Sequence, residues 1–154
     1  MLPIYRKAIA ADARELARIR SLFIAEISNL TEKERVNMER CNKEYFDTSF
    51  ANDSFAAWVA VNENEIIATS GLSFSVVPPN ATCIDGRVAY IMNIFTLPEY
   101  RRQGIATNLF KLILEEAKIR GYKRITLNAT SKGKPLYEKF GFKDVIGDMA
   151  YYAL

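Results

Sequence analysis

A basic turn and an amphipathic helix meet in Arg101-Arg102-Gln103-Gly104-Ile105-Ala106-Thr107-Asn108-Leu109-Phe110. The first amides of a helix lack intrahelical partners and lie at the positive end of its dipole, so they can bind phosphate oxygens. Gly104 and Ala106 leave room for an approaching phosphate, and Arg101 and Arg102 add positive charge. The stretch therefore predicts an anion site.

Two better-known phosphate loops do not match these ten residues. The nucleotide-binding loop ends in Gly-Lys-Ser/Thr, and the dinucleotide fingerprint needs three glycines. The alternative interpretation is an ordinary helix start that carries a solvated pair of arginines. The sequence on either side of the turn decides between the two.

An apolar strand is predicted directly before the turn, and a strand and a short helix after it. Arg87 to Thr96 is apolar almost throughout, which is typical of a central strand covered on both faces. The helix after the turn closes with Arg120-Gly121, a basic last turn and a C′ glycine. Further elements are a fifth strand from Arg124 to Asn128, a short helix with Pro135 in its first turn and Gly141 at its end, and last strands at Phe142 and Met149 to Ala153.

The first half of the chain predicts a strand, two helices and a hairpin. Residues 3–9 read as a strand, followed by a helix capped by Asp12 with apolar residues at helical spacing. Thr31 and Glu34 form a capping box for a second, strongly charged helix. The predicted hairpin consists of strands at Phe55 to Val61 and Glu65 to Val77, joined by Asn62-Glu63-Asn64.

Composition predicts one globular domain over residues 1–154, because 154 residues with 49% apolar side chains can bury a sizeable core. No run reaches the roughly 20 apolar residues of a membrane span. The first seven residues, Met1-Leu2-Pro3-Ile4-Tyr5-Arg6-Lys7, lack the apolar stretch of a secretory signal. We therefore expect a cytoplasmic protein with no membrane partner.

The sequence contains no histidine and two isolated cysteines, Cys41 and Cys83. The usual general base and the usual metal ligand are thus missing, as is any Ser-His or Cys-His nucleophile. The cysteines have neither CxxC spacing nor a histidine partner, so no metal site is expected. Proton transfer must use another side chain or water.

The formal charge of +3 conceals an uneven distribution. Residues 98–143 contain eleven Lys or Arg against four Asp or Glu, whereas residues 26–85 contain ten acidic and four basic side chains. The basic part coincides with the predicted anion site. The acidic part favours a cationic partner, with scattered solvated charges as the alternative.

The order of elements resembles that of the GCN5-related N-acetyltransferase (GNAT) superfamily over essentially the whole chain. Two motifs carry the resemblance: Arg101-x-x-Gly104-x-Ala106 before a helix, and Leu136-Tyr137-Glu138-Lys139-Phe140-Gly141-Phe142 downstream. It implies an α/β fold of the mixed α+β kind, with a mostly antiparallel sheet of about seven strands and about four helices. The sheet would splay open between strands 4 and 5.

The resemblance also implies acetyl-CoA as the co-substrate, bound in that opening. The pyrophosphate would lie on the turn, and one strand would pair with the pantetheine arm by its backbone. Asn128, after the fifth strand, could hydrogen-bond the same arm or simply end the strand. The implied cofactor-binding residues are Ile94, Phe95, Thr96, Arg101, Arg102, Gln103, Gly104, Ile105, Ala106, Thr107 and Asn128.

Tyr137 is the candidate general acid, because a phenol near the thioester sulfur can protonate the departing thiolate. The alternative is a half-buried aromatic that only packs. Family members often use a carboxylate as the base, and the fourth strand here has Asn93 where a glutamate could serve. Glu26 and Glu44 are candidate bases, with surface charge as the other role of each.

The resulting expectation is an acetyl-CoA-dependent N-acetyltransferase that moves an acetyl group to a primary amine, with a cationic amine as one candidate, by direct transfer in a ternary complex. A non-catalytic CoA-binding sensor is the alternative. A nucleic-acid binder ranks last, because the basic residues lack an aromatic stacking platform. Related folds often dimerise, so a homodimer is compatible with the resemblance.

Overall fold

In the computed structural model, residues 2–153 are described, and they contain one mixed sheet of five strands in the order β1-β2-β3-β4-β5. The strands are β1 (Ile4–Lys7), β2 (Phe55–Asn62), β3 (Glu65–Val76), β4 (Arg87–Thr96) and β5 (Arg124–Leu127). The helices are α1 (Ala13–Ile27), α2 (Glu32–Ala51), α3 (Ile105–Ile119) and α4 (Lys134–Lys139). Only the β4–β5 pair is parallel. The predicted fold class is confirmed.

Local sequence signals account for several element boundaries. Thr31 caps α2 as predicted, since its side chain accepts from the Glu34 amide while the Glu34 carboxylate accepts from the Thr31 amide. Asp12 precedes α1 but forms no cap, because its carboxylate instead pairs with Arg6 at 2.7 Å and accepts from the Ile9 amide. The strands β1 and β5 are slightly shorter than the predicted 3–9 and 124–128.

The helices cover the sheet from both sides. Gly71 and Leu72 are successive on β3 and so point to opposite faces. Gly71 faces the ring of Phe55, which packs at 5.0 Å on Phe46 of α2. Leu72 belongs to a buried cluster on the α3 side. That cluster contains Leu72, Ala89, Ile91, Phe110, Ile113, Leu114, Ala117 and Tyr137. α1 and α2 therefore lie on one face, and α3 and α4 on the other.

The sheet opens between β4 and β5. The two strands pair only from Val88 to Ile91 on β4, opposite Arg124 to Leu127 on β5. β4 then continues to Thr96 with no partner on that side within residues 2–153. The predicted separation of strands 4 and 5 is present, and it leaves the last half of β4 with a free edge.

The prediction of about seven strands was wrong, because Phe142 and Met149 to Ala153 form no strand among the described residues. Phe142 docks its ring against Phe110 at 5.6 Å, and an ion pair of 2.8 Å from Lys134 to Asp144 holds the following backbone near α4. Beyond Asp144, Gly147 has a φ of +129°, which interrupts the extended backbone that a strand requires. The apolar side chains there are exposed: Val145, Ile146, Met149, Tyr151 and Tyr152.

Candidate active site

The basic turn after β4 has the backbone that an anion site requires. Arg102 and Gly104 have positive φ values of +63° and +78°, so the chain reverses sharply before α3 begins at Ile105. No side chain caps the helix, which leaves its first amides free to bind a ligand. A Cβ built on Gly104 would meet no atom within 4 Å, so the turn is open towards solvent.

The Arg101 side chain braces this turn. Its Nε donates to the Thr96 carbonyl at 2.9 Å, and its Nη2 pairs with Glu26 Oε1 at 2.7 Å. The guanidinium also lies 5.2 Å from the centre of the Phe95 ring. Arg101 therefore joins the turn to the end of β4 and to α1, which leaves Arg102 and Gln103 as the exposed polar side chains of the turn.

The two carboxylates considered as bases both form ion pairs. Glu26 is held by Arg101, and Glu44 by Arg40 at 2.6 Å. Glu26 lies beside the turn, whereas Glu44 lies on the outer side of α2 with 64% of its side chain exposed. Of the two, only Glu26 is next to residues of the predicted acetyl-CoA site.

β4 contains a bulge that we did not predict from the sequence. The pairing of β3 with β4 shifts register at Thr69 to Gly71, opposite Asn93, whose φ is +59°. Asn93 is only 3% exposed, and neither polar atom of its side-chain amide has a hydrogen-bond partner in the described chain. The signal available was weak: asparagine tolerates positive φ better than most residues, but nothing local places a bulge there.

The unpartnered Asn93 amide provides a test of whether this opening suits a polar ligand. Buried polar groups without partners are rare in folded proteins and need an explanation at each site. Thr96 Oγ1, three residues along the same free edge, is also buried and unpartnered within residues 2–153. Two polar groups beside an open strand edge fit a ligand with amide and carbonyl groups.

Tyr137 lies in α4 with its ring almost completely buried. The ring packs against Phe110 at 5.1 Å, and Gly133 leaves space for the phenol, since a Cβ there would come within 3.0 Å of the Tyr137 hydroxyl. Burial, with a smaller contribution from Tyr90, raises the pKa of Tyr137 above its ordinary value. The phenol is therefore protonated at neutral pH and can donate a hydrogen bond or a proton.

One helix connects the turn with Tyr137. α3 starts at Ile105, and its Phe110 carries the Tyr137 ring, so the two predicted parts of the site share a rigid support. Asn128 is exposed just beyond β5 and lines a pocket of about 380 Å³ together with Tyr90 and Thr126. The turn, the free edge of β4 and Asn128 thus lie at the opening of the sheet, and α3 joins the turn to Tyr137.

The comparison with known proteins agrees with this geometry. The model of the acetyltransferase (GNAT) family matches residues 18–142. The chain belongs to this family. As a GNAT protein it is an acyltransferase, and its relatives carry the same description: an uncharacterized N-acetyltransferase of Escherichia coli, YjgM, is 25% identical over 146 residues, which cover 93% of this chain and 83% of that protein.

Solved GNAT structures share the fold over nearly the full length. A predicted acetyltransferase from Clostridium acetobutylicum, solved with acetyl-CoA, is 32% identical and has a TM-score of 0.89, covering 98% of this chain and 96% of its own. A GCN5-related N-acetyltransferase from Ralstonia eutropha is 22% identical with a TM-score of 0.88, covering 97% and 98%. Within residues 2–153, no helix is long and apolar enough to cross a membrane.

Proposed function

We propose that this GNAT enzyme transfers an acetyl group from acetyl-CoA to a primary amine, by direct transfer in a ternary complex. The observation that carries the proposal is the continuity of the free edge of β4 with the uncapped start of α3. A pantetheine arm can pair with a strand edge, and a pyrophosphate can bind helix amides. The Clostridium acetobutylicum relative, solved with acetyl-CoA, supports this choice of donor.

The residues proposed to hold the donor follow from this continuity. Ile94, Phe95 and Thr96 would pair with the pantetheine amides, and Asn128 would reach the arm from β5. The backbone from Arg101 to Thr107 would surround the pyrophosphate. Arg102 is the side chain free to add charge, because the guanidinium of Arg101 is already bound to Thr96 and Glu26.

Acetyl-CoA supplies an acetyl group as a thioester, from which the nitrogen of the acceptor takes it: a C–N bond forms and the C–S bond breaks. Tyr137 donates its phenolic proton to the departing sulfur, which its raised pKa permits at neutral pH. The phenol then recovers a proton from solvent. The proton lost by the amine passes to water or to Glu26. Because Glu26 already forms an ion pair with Arg101, its favoured role is to position the turn.

Direct transfer is supported by the positions of the two cysteines. Cys83 Sγ lies near the Asp85 carboxylate and the Arg87 carbonyl, at the start of β4. The turn follows the other end of this ten-residue strand, which spans roughly 30 Å. Cys41 is exposed on α2. Cys83 therefore lies far from the turn, and the sequence has no histidine to activate either thiol.

The acidic surplus of residues 26–85 gives little support to an acceptor with extra positive charge. Most of these carboxylates are already bound within the protein. The ion pairs are Glu26–Arg101, Glu32–Arg35, Glu39–Arg35, Glu44–Arg40, Asp47–Lys43 and Asp53–Arg120. The proposal is therefore limited to a primary amine, and a more strongly cationic acceptor stays a prediction.

Steady-state kinetics with Tyr137→Phe test the proposal. We expect kcat to fall about 100- to 1,000-fold, as for loss of a general acid, while acetyl-CoA binding measured by calorimetry is retained. Tyr122→Phe is the matched control, because Tyr122 stacks on Phe74 away from the opening. Double-reciprocal plots should intersect. Parallel lines together with an acetylated cysteine would contradict direct transfer.

A further inference from the structure

A pocket of about 380 Å³ lies over the paired part of β4 and β5. Its floor consists of Val88 and Tyr90 of β4, which pair in register with Arg124 and Thr126 of β5. Since successive residues of a strand point to opposite faces, these four side chains share one face of the sheet. Ala89, between the two β4 residues, belongs to the buried cluster on the α3 side. The pocket therefore lies on the opposite face from α3.

One end of this pocket reaches the opening of the sheet. The last pair between β4 and β5 is Ile91 with Leu127, and both Leu127 and Asn128 line the pocket. Arg124 lies three residues before Leu127 on β5, roughly 10 Å away along the strand. A ligand that fills the pocket thus has one end at the opening, beside the proposed pantetheine arm, and the other end beside Arg124.

Two side chains of opposite charge line the pocket, and they do not pair with each other. Arg124 donates from Nη1 to Thr82 Oγ1 at 3.1 Å and forms no ion pair among residues 2–153. The carboxylate of Asp148, from the segment after α4, forms neither an ion pair nor a hydrogen bond within the described part of the chain. Both charges are therefore available to a ligand, and each favours a ligand group of the other sign.

The size and lining of the pocket favour a small, polar acceptor. Pockets for small molecules have volumes of about 300–1,000 Å³, so 380 Å³ lies near the lower limit. Four uncharged side chains of the lining can form hydrogen bonds: Asn80, Tyr90, Thr126 and Asn128. In a pocket this small, a positive and a negative wall group suit a ligand that carries both charges close together. The α-ammonium and α-carboxylate groups of an amino acid have this arrangement.

We propose that the acceptor is a free diamino acid of the lysine or ornithine type and that its side-chain amine receives the acetyl group. Arg124 binds the α-carboxylate, for which a guanidinium is well suited, and Asp148 binds the α-ammonium group. The flexible side chain then carries the second amine towards Leu127 and Asn128 at the opening. The inference rests on the proposed amine acetylation and narrows its acceptor class.

An acceptor series that removes one charge at a time tests this class. Lysine is compared with cadaverine, which lacks the carboxylate, and with ε-aminocaproate, which lacks the α-amine. Nα-acetyllysine amide lacks both charges and represents lysine within a peptide. We expect kcat/KM, followed by release of the CoA thiol, to be about 10- to 100-fold higher for lysine than for cadaverine or ε-aminocaproate, since each lacks one charged hydrogen-bonding group. Fragmentation mass spectrometry should place the acetyl group on the side-chain nitrogen.

Substitution of the two charged residues tests each contact separately. Arg124→Gln should abolish the preference for lysine over cadaverine and retain the preference over ε-aminocaproate. Asp148→Asn should have the reverse effect on the two preferences. A merely structural role of either residue would instead lower kcat/KM for all four acceptors by the same factor. Lys123→Gln, at the exposed position directly before β5, is the control and should retain both preferences.

The failure of this inference and that of the proposed function give different results. Equal use of lysine, cadaverine and ε-aminocaproate, or an acetyl group on the α-nitrogen, would contradict the inference, as would an equal loss for all four acceptors in both variants. Acetylation of other primary amines but not of lysine or ornithine would overturn it and leave the proposed function standing. If acetyl-CoA binds and no primary amine is acetylated, the proposed function is wrong and the inference with it.

Discussion

An alanine at position 104 should weaken binding of the donor without unfolding the protein. Gly104 has a φ of +78°, where an L-residue costs roughly 1–2 kcal/mol. Alanine also restricts the unfolded chain more than glycine does, which offsets about 0.4–1 kcal/mol of this cost in folding stability. Since the new Cβ meets no atom within 4 Å, no clash adds to this. The net loss of folding stability should be about 1 kcal/mol.

The effect on the donor should be larger than the effect on stability. The Cβ would point into the open side of the turn, where we propose that the pyrophosphate binds. A hydrogen bond to a charged group contributes about 1.5–3 kcal/mol, so the loss of one predicts acetyl-CoA binding about 10- to 100-fold weaker. Calorimetric titration with acetyl-CoA, together with KM for the donor, measures this loss.

Gly121→Ala is a closely matched control, because Gly121 follows the other end of α3 with a φ of +81°. Its nearest neighbour for a new Cβ is the Arg87 side chain at 3.5 Å, an ordinary contact. Both variants should lose similar stability in thermal unfolding, but only Gly104→Ala should lose affinity. Equal affinity of both variants for acetyl-CoA would refute a pyrophosphate site at the turn.

Two further predictions concern titratable groups. Because burial raises the pKa of Tyr137, activity should persist as pH rises past the ordinary tyrosine range, and the alkaline fall of kcat should disappear from the residual rate of Tyr137→Phe. Burial opposes the charge of Glu116, but hydrogen bonds from Lys7 and Arg120 outweigh it and hold its pKa below the ordinary value. Glu116→Gln should therefore destabilise the fold by about 1–3 kcal/mol at neutral pH, and urea unfolding should show this deficit vanishing as pH falls through the lowered pKa.

The parts of the fold that could be predicted from the sequence depend on local chemistry. The capping box of Thr31 and Glu34 and the turn at Gly104 each act over a few residues, and both form as expected. The apolar run of β4 was also sufficient to predict a central strand, since such a strand needs apolar residues on both faces. The turn, together with the segment from Leu136 to Phe142, identified the family and the candidate donor site.

The features that escaped prediction depend on distant contacts. The apolar residues from Met149 to Ala153 suggested a strand, but pairing requires a partner edge, and these residues lie exposed beyond Gly147. Asn93 was considered only as a missing base, because its bulge depends on the register with β3.

A crystal structure of the complex with acetyl-CoA tests the central claim most directly. We predict that the pyrophosphate accepts hydrogen bonds from the backbone amides between Gln103 and Thr107, that the pantetheine lies along the free edge of β4, and that the Tyr137 hydroxyl lies within hydrogen-bond reach of the thioester sulfur. A pyrophosphate bound away from this turn, or a Tyr137 hydroxyl directed away from the sulfur, would contradict the account.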